Sequence, residues 1–179
     1  MNGLTLKAIP TDIRNGFQIP PIEEFEKAIT DKTKAILVCN PGNPTGTQYS
    51  KESMLALGEI ARKHDLFLLS DEVYREFCYT DEPHFSAMNI PGLEQNVVLI
   101  DSVSKRYNLC GARVGCIVSH NKDVMTAAMK FAQARLCPPV LGQMAAIGAL
   151  DTPDEYFEAV KEEYIKRRDF MINGLNRIE

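Results

Sequence analysis

Lys105 stands in the run Ser102-Val103-Ser104-Lys105, just past the apolar stretch Asn96-Val97-Val98-Leu99-Ile100 and ahead of Arg113. A strand followed at once by such a run puts one amine at the strand's carboxyl end, where open α/β sheets bind their ligands. Desolvation and neighbouring positive charge lower the pKa of an amine placed there, so that it reacts as a neutral nucleophile with a carbonyl to give a Schiff base. The guanidinium of Arg113 offers a planar fork that suits phosphate oxygens, and Ser102 and Ser104 add hydroxyl donors. One lysine after one strand is by default a solvated surface residue, so the reading of Lys105 depends on what accompanies it. Arg106 serves equally well as a surface residue and is given no role.

Two further loops follow buried apolar runs. The first is Asn40-Pro41-Gly42-Asn43-Pro44-Thr45-Gly46. Its two Asn-Pro pairs force turns, because the residue before a proline avoids the helical region. A backbone fixed in this way can aim the Asn43 amide at a ligand oxygen. A Pro/Gly-rich turn alone would simply end a strand, but a doubled Asn-Pro followed by Thr-Gly is much rarer. The second loop is Ser70-Asp71-Glu72-Val73-Tyr74. A carboxylate directly after the apolar Leu66–Leu69 is costly unless partnered. A protonated pyridine nitrogen is a suitable partner for Asp71, and Tyr74 can hydrogen-bond a phenolic oxygen on the same ring. Taken alone, Asp71 reads as a helix N-cap.

The elements that position these loops alternate between strand and helix. Leu4–Ile9 reads as a strand, with Leu4, Leu6 and Ala8 on one face. Pro20-Pro21 starts a short helix with Ile22, Phe25 and Ile29 on one side. Ala35–Cys39, Leu66–Leu69 and Val97–Ile100 are short apolar runs of the kind found in buried parallel strands. Ser50 caps a helix running to about His64, with Met54, Leu57 and Ala61 inward. Val114–Val118 is a further strand, joined to the Val97 strand by a link too short for a helical crossover, so the pair is expected to be antiparallel. Helices are predicted over about Lys122–Arg135 and Pro139–Leu150. A long one is predicted from about Pro153, with Phe157, Val160, Tyr164, Met171 and Leu175 on one face. The fold class is therefore α/β, a mostly parallel sheet with helices on both faces.

Length and composition agree: 179 residues, 45% hydrophobic and 25% charged, suffice for one domain with a sizeable core. A net charge of -4 without a basic block argues against nucleic acid. No apolar run approaches membrane-span length, and the start lacks the plan of a signal peptide. Five cysteines without a Cys-x-x-Cys pair read as reduced thiols of a cytosolic protein. Three scattered histidines make a metal site improbable. The P-loop and dinucleotide glycine patterns and Gly-x-Ser-x-Gly are missing, which leaves nucleotide and hydrolase readings without support. Residue 1 falls almost on a strand and Glu179 stops inside a helical period, so the reading expects an excised piece of a longer polypeptide.

The three loops, in this order, resemble those of fold-type I pyridoxal-phosphate (PLP) enzymes, specifically class I/II aminotransferases of the aspartate/aromatic type. The resemblance runs through nearly all 179 residues. It implies that Lys105 carries pyridoxal 5'-phosphate as a Schiff base and that Asp71 faces the ring nitrogen. Asn43 and Tyr74 would donate to the phenolic oxygen, and Ser102 and Arg113, with Ser104 less firmly, would hold the phosphate. It implies amino-group transfer between an amino acid and a 2-oxo acid, with Lys105, Asp71 and Tyr74 as the catalytic set, in a cytoplasmic homodimer. Residues 1–179 would form part of the PLP-binding large domain, without its N-terminal part and without the C-terminal small domain that supplies an arginine for the substrate carboxylate. On that basis the 179 residues alone are expected to hold the cofactor weakly and to be inactive. Three alternatives stay open: a carbon–sulfur lyase of the same fold, a non-catalytic binding module, and an unrelated doubly wound domain whose three loops are structural turns.

Overall fold

The computed structural model describes residues 3–178. Four strands form one sheet in the order β1-β2-β3-β4. They are β1 (Ala35–Cys39), β2 (Phe67–Asp71), β3 (Val97–Ser102) and β4 (Gly115–Val118). The first three are mutually parallel, and β4 runs antiparallel to β3. The mostly parallel α/β sheet expected from the sequence is therefore present, including the reversal after the short β3–β4 link.

Register explains how the core is built. Ile36 pairs with Leu68 and Leu68 with Val97, so three buried side chains line up across one face. Against them pack α1 (Ile22–Ala28) through Phe25 and α2 (Lys51–Lys63) through Met54, Leu57, Ile60 and Ala61. The i, i+3, i+7 spacing on α2 is the apolar stripe of an amphipathic helix. Ser50 caps it by accepting a hydrogen bond from Ser53 N at 3.2 Å. Glu52 lies in its first turn and Arg62 and Lys63 in its last, each favourable to the helix dipole. On the opposite face of β1, Leu37 stands 59% exposed.

Three helices follow the sheet: α4 (Lys122–Arg135), α5 (Val140–Ala149) and α6 (Asp154–Leu175). Asn121 caps α4, its Oδ1 accepting from Asp123 N and Val124 N, both at 3.0 Å. The first half of α6 packs Phe157 edge-on to Tyr107 and Tyr164 edge-on to Phe77. Its second half, with Met171 and Leu175, is exposed. No helix of the described residues is long and apolar enough to cross a membrane.

One expected element is absent. Leu4–Ile9 forms no strand, and Leu4 and Leu6 are 78% and 89% exposed. Alternating apolar residues suit a pleated surface, but a strand also needs a neighbour to receive its backbone hydrogen bonds. The sheet ends at β1 and gives this segment none. A short α-helix also goes beyond the expectation: α3 (Val103–Arg106) turns the run after β3 into a single helical turn that carries Lys105.

Gly142 lets α5 lie directly on the backbone of a 3-10 turn, Cys110–Ala112. A Cβ at this position would meet Ala112 O at 2.3 Å. Backbone cannot step aside as a side chain can. Gly142→Ala is therefore expected to cost about 1–3 kcal/mol, read as a lower urea midpoint with an unchanged slope. A neutral result would mean that α5 does not press on this turn.

Candidate active site

The parallel register brings the carboxyl ends of three strands together. Cys39 at the end of β1 pairs with Asp71 at the end of β2, which pairs with Ile100 near the end of β3. The loops that leave these ends are the three singled out by their chemistry.

The first loop is closed on itself. Gly42 N donates to Thr47 O and Gly46 N to Gly42 O, both at 2.8 Å. Both Asn-Pro peptide bonds, Asn40-Pro41 and Asn43-Pro44, are cis, and Gly46 takes φ +70°, a conformation that suits glycine. Asn40 is fully buried and anchors the loop. Its backbone N donates to Asp71 O at 2.9 Å, and its Oδ1 accepts from Tyr49 N at 2.9 Å. This frame presents Asn43 outward, where its Nδ2 donates to the Tyr74 hydroxyl at 3.2 Å.

Asp71 is the last residue of β2 rather than a helix cap. Its Oδ1 accepts from Val73 N at 3.2 Å, which starts the turn that carries Tyr74. Burial pushes the Cys39 thiol up, and the nearby Asp71 charge adds to that rise.

Ser102 caps α3 by accepting from Ser104 N at 3.0 Å, and its Oγ lies 2.7 Å from Ser104 Oγ and 3.1 Å from Val114 O. One turn of helix then places the Lys105 amine over the Tyr74 ring, 5.5 Å from its centroid. Arg106 points away from this point and pairs with Glu76 at 3.0 Å, and Arg75 pairs with Asp101 at 2.8 Å. These half-buried pairs tie the end of β3 and the turn after it, α3, to the turn after β2.

Asn43, Tyr74, Ser104 and Lys105 thus line one cleft of about 430 Å³. Asp71 sits at the strand end that leads into it. Ser102 and Arg113 do not line it. The Ser102 hydroxyl is engaged with Ser104 Oγ and Val114 O, and Arg113, in the left-handed region at φ +57°, donates from Nη1 to Cys110 O at 3.0 Å. Part of its lining, absent from the sequence reading, is aromatic: Phe77, Tyr79 and Tyr164. Only Tyr164 carried a signal, as part of the apolar stripe of α6, and that stripe reads as core.

The donor set can be tested against pyridoxal phosphate. An amine, a carboxamide and a phenol hydroxyl converge on one cleft of ligand size, with a carboxylate at the adjoining strand end. These residues fit the aldehyde, phenol-oxygen and ring-nitrogen sides of such a group. At the phosphate side only Ser104 already faces the cleft.

A sheet of this topology, with a lysine-bearing cleft at its carboxyl edge, defines a class of protein by fold and site together. The family model for aminotransferase class I and II matches residues 1–179, and the chain belongs to that family. The aspartate aminotransferase of Bacillus subtilis (strain 168) is 36% identical over 155 residues, 86% of this chain and 39% of that protein. The aspartate aminotransferase of Geobacillus stearothermophilus is 34% identical over 167 residues, 92% of this chain and 42% of that protein. The solved Thermus thermophilus aspartate aminotransferase with maleate superimposes with a TM-score of 0.84 at 31% identity, over 93% of this chain and 43% of that one. The chain thus spans about two-fifths of the length of the relatives it matches.

Proposed function

We propose that this chain carries the lysine-bearing part of an aminotransferase that moves an amino group between an amino acid, of aspartate or aromatic type, and a 2-oxo acid. The observation that carries the reading is the meeting of Lys105 with the Asn43–Tyr74 pair in one cleft. Pyridoxal phosphate, when bound, supplies an aldehyde for an amine and a ring that takes up the electron pair released at the substrate α-carbon.

The chain's own residues do the rest. Lys105 would hold the aldehyde end in the resting site, and its amine, when free, would move the proton of the substrate α-carbon. The Asp71 carboxylate would keep a proton on the ring nitrogen. Asn43 and Tyr74 hold the phenolic oxygen. Ser102, Ser104 and Arg113 would hold the phosphate, for which Ser102 must exchange its bond to Val114 O, and Arg113 its bond to Cys110 O, for ligand oxygens. The reading includes a cytoplasmic location, supported by five free thiols, and a homodimer. Residues 1–179 then form part of a PLP-binding large domain.

An assay of the longest natural polypeptide that carries these residues tests the reaction. With pyridoxal phosphate, an aspartate or aromatic donor and a 2-oxo acid, the expected result is an amino acid made from the 2-oxo acid. Ammonia and pyruvate from a sulfur-bearing donor, without amination of the 2-oxo acid, would replace transfer with elimination.

A further inference from the structure

Beside Asp71 lies a second carboxylate that the proposed mechanism does not use. Glu72 is fully buried. One of its oxygens accepts from Ser70 Oγ at 3.0 Å, Ser86 Oγ at 3.1 Å and Ala87 N at 2.9 Å, and the other faces His84 Nε2 at 2.8 Å. Its backbone is fixed as well: Glu72 N donates to Ile100 O and Arg75 N donates to Glu72 O, both at 3.0 Å. Packing alone does not call for this arrangement, since an apolar side chain would fill the space without desolvating a charge. What a carboxylate adds is direction. It ties the end of β2 to the His84–Ala87 segment at a fixed angle, through donors that arrive from separate parts of the chain.

Of the residues on either side of this tie, Tyr74 lines the cleft and Asp71 sits at the strand end that leads into it. Asp71 precedes it and bonds across it to Val73 N, and Tyr74 follows two residues later. We propose that Glu72, through His84 and Ser86, is a positioning residue for the proposed cofactor site. It holds the Asp71 carboxylate at the place where a ring nitrogen is received. The inference rests on the cofactor reading above and adds to it a role for a residue that does not touch the ligand.

The test compares pyridoxal phosphate with its carbocyclic analogue, in which the ring nitrogen is replaced by CH. Both are titrated against the longest natural polypeptide that carries these residues and against its Glu72→Gln variant, under conditions where circular dichroism shows each protein folded. The wild type should prefer pyridoxal phosphate. Glu72→Gln keeps the shape but sets an NH2 group against a donor, and its preference should fall about tenfold, the scale of effect expected for removing an outer support of a binding group. Ser86→Ala, a milder change that removes one donor, should lower the ratio in the same direction by a smaller factor. Loss of stability alone would weaken both ligands equally and leave the ratio unchanged. An unchanged ratio in both variants, with the wild type preferring pyridoxal phosphate, overturns this inference and leaves the cofactor reading standing. A folded wild type that binds neither ligand, or shows no preference, overturns the role of Asp71 and this inference with it.

Discussion

Glu72→Ala is expected to cost about 3–5 kcal/mol, because it removes the buried carboxylate that several donors share. The alanine leaves His84 Nε2, Ser70 Oγ, Ser86 Oγ and Ala87 N without the oxygens that now receive them. Each buried donor left unpaired costs about 1–3 kcal/mol unless water reaches it. Against a total stability of about 5–15 kcal/mol the change is large, and urea unfolding measures it directly. A loss under about 1 kcal/mol would mean that water replaces the carboxylate, contrary to the closed packing around it.

The same site sets a pH dependence. Burial alone would raise the Glu72 pKa, but the hydrogen bonds from His84, Ala87 N and Ser86 outweigh it, and the carboxyl is held below the ordinary glutamate value. At acid pH the unfolded chain therefore binds the proton more readily than the folded one. The stabilisation from Glu72 is complete above the ordinary glutamate value and is lost as pH falls through the lower folded value. Unfolding measured from neutral to acid pH should show this loss in the wild type and a shallower slope in Glu72→Gln.

The second large effect concerns the amine. In the longest natural polypeptide that carries these residues, Lys105→Ala and Lys105→Arg should both abolish the visible absorbance band that pyridoxal phosphate forms with the wild type. Arginine is the informative variant, because it keeps the charge and cannot act as an amine nucleophile. Lys105 is exposed on the single turn of α3, so either change should leave stability within about 0.5 kcal/mol. A band that persists in both folded variants would assign the chemistry to another lysine.

Much of this arrangement was legible in the sequence because its causes are local. The short apolar runs of β1, β2 and β3, the Ser50 cap and the period of α4 each carry their own signal. The three loops could be read as one site because parallel strands gather their carboxyl ends on one edge. What escaped depends on partners distant in the chain. Leu4–Ile9 has the pattern of a strand but no neighbour in the sheet. The tie from Glu72 to His84 joins segments whose proximity no short-range pattern encodes. Tyr164 looks like core along α6 and becomes a cleft wall only because α6 crosses the turn after β2, where it meets Phe77. The bond from Arg113 to Cys110 O follows from a left-handed turn that no glycine announces.

The most direct measurement is reduction with borohydride in the presence of pyridoxal phosphate, followed by peptide mapping of the longest natural polypeptide that carries these residues, shown to be folded. The account predicts that the pyridoxyl tag concentrates on Lys105. A tag spread evenly over the lysines, or concentrated on another of them, would contradict it.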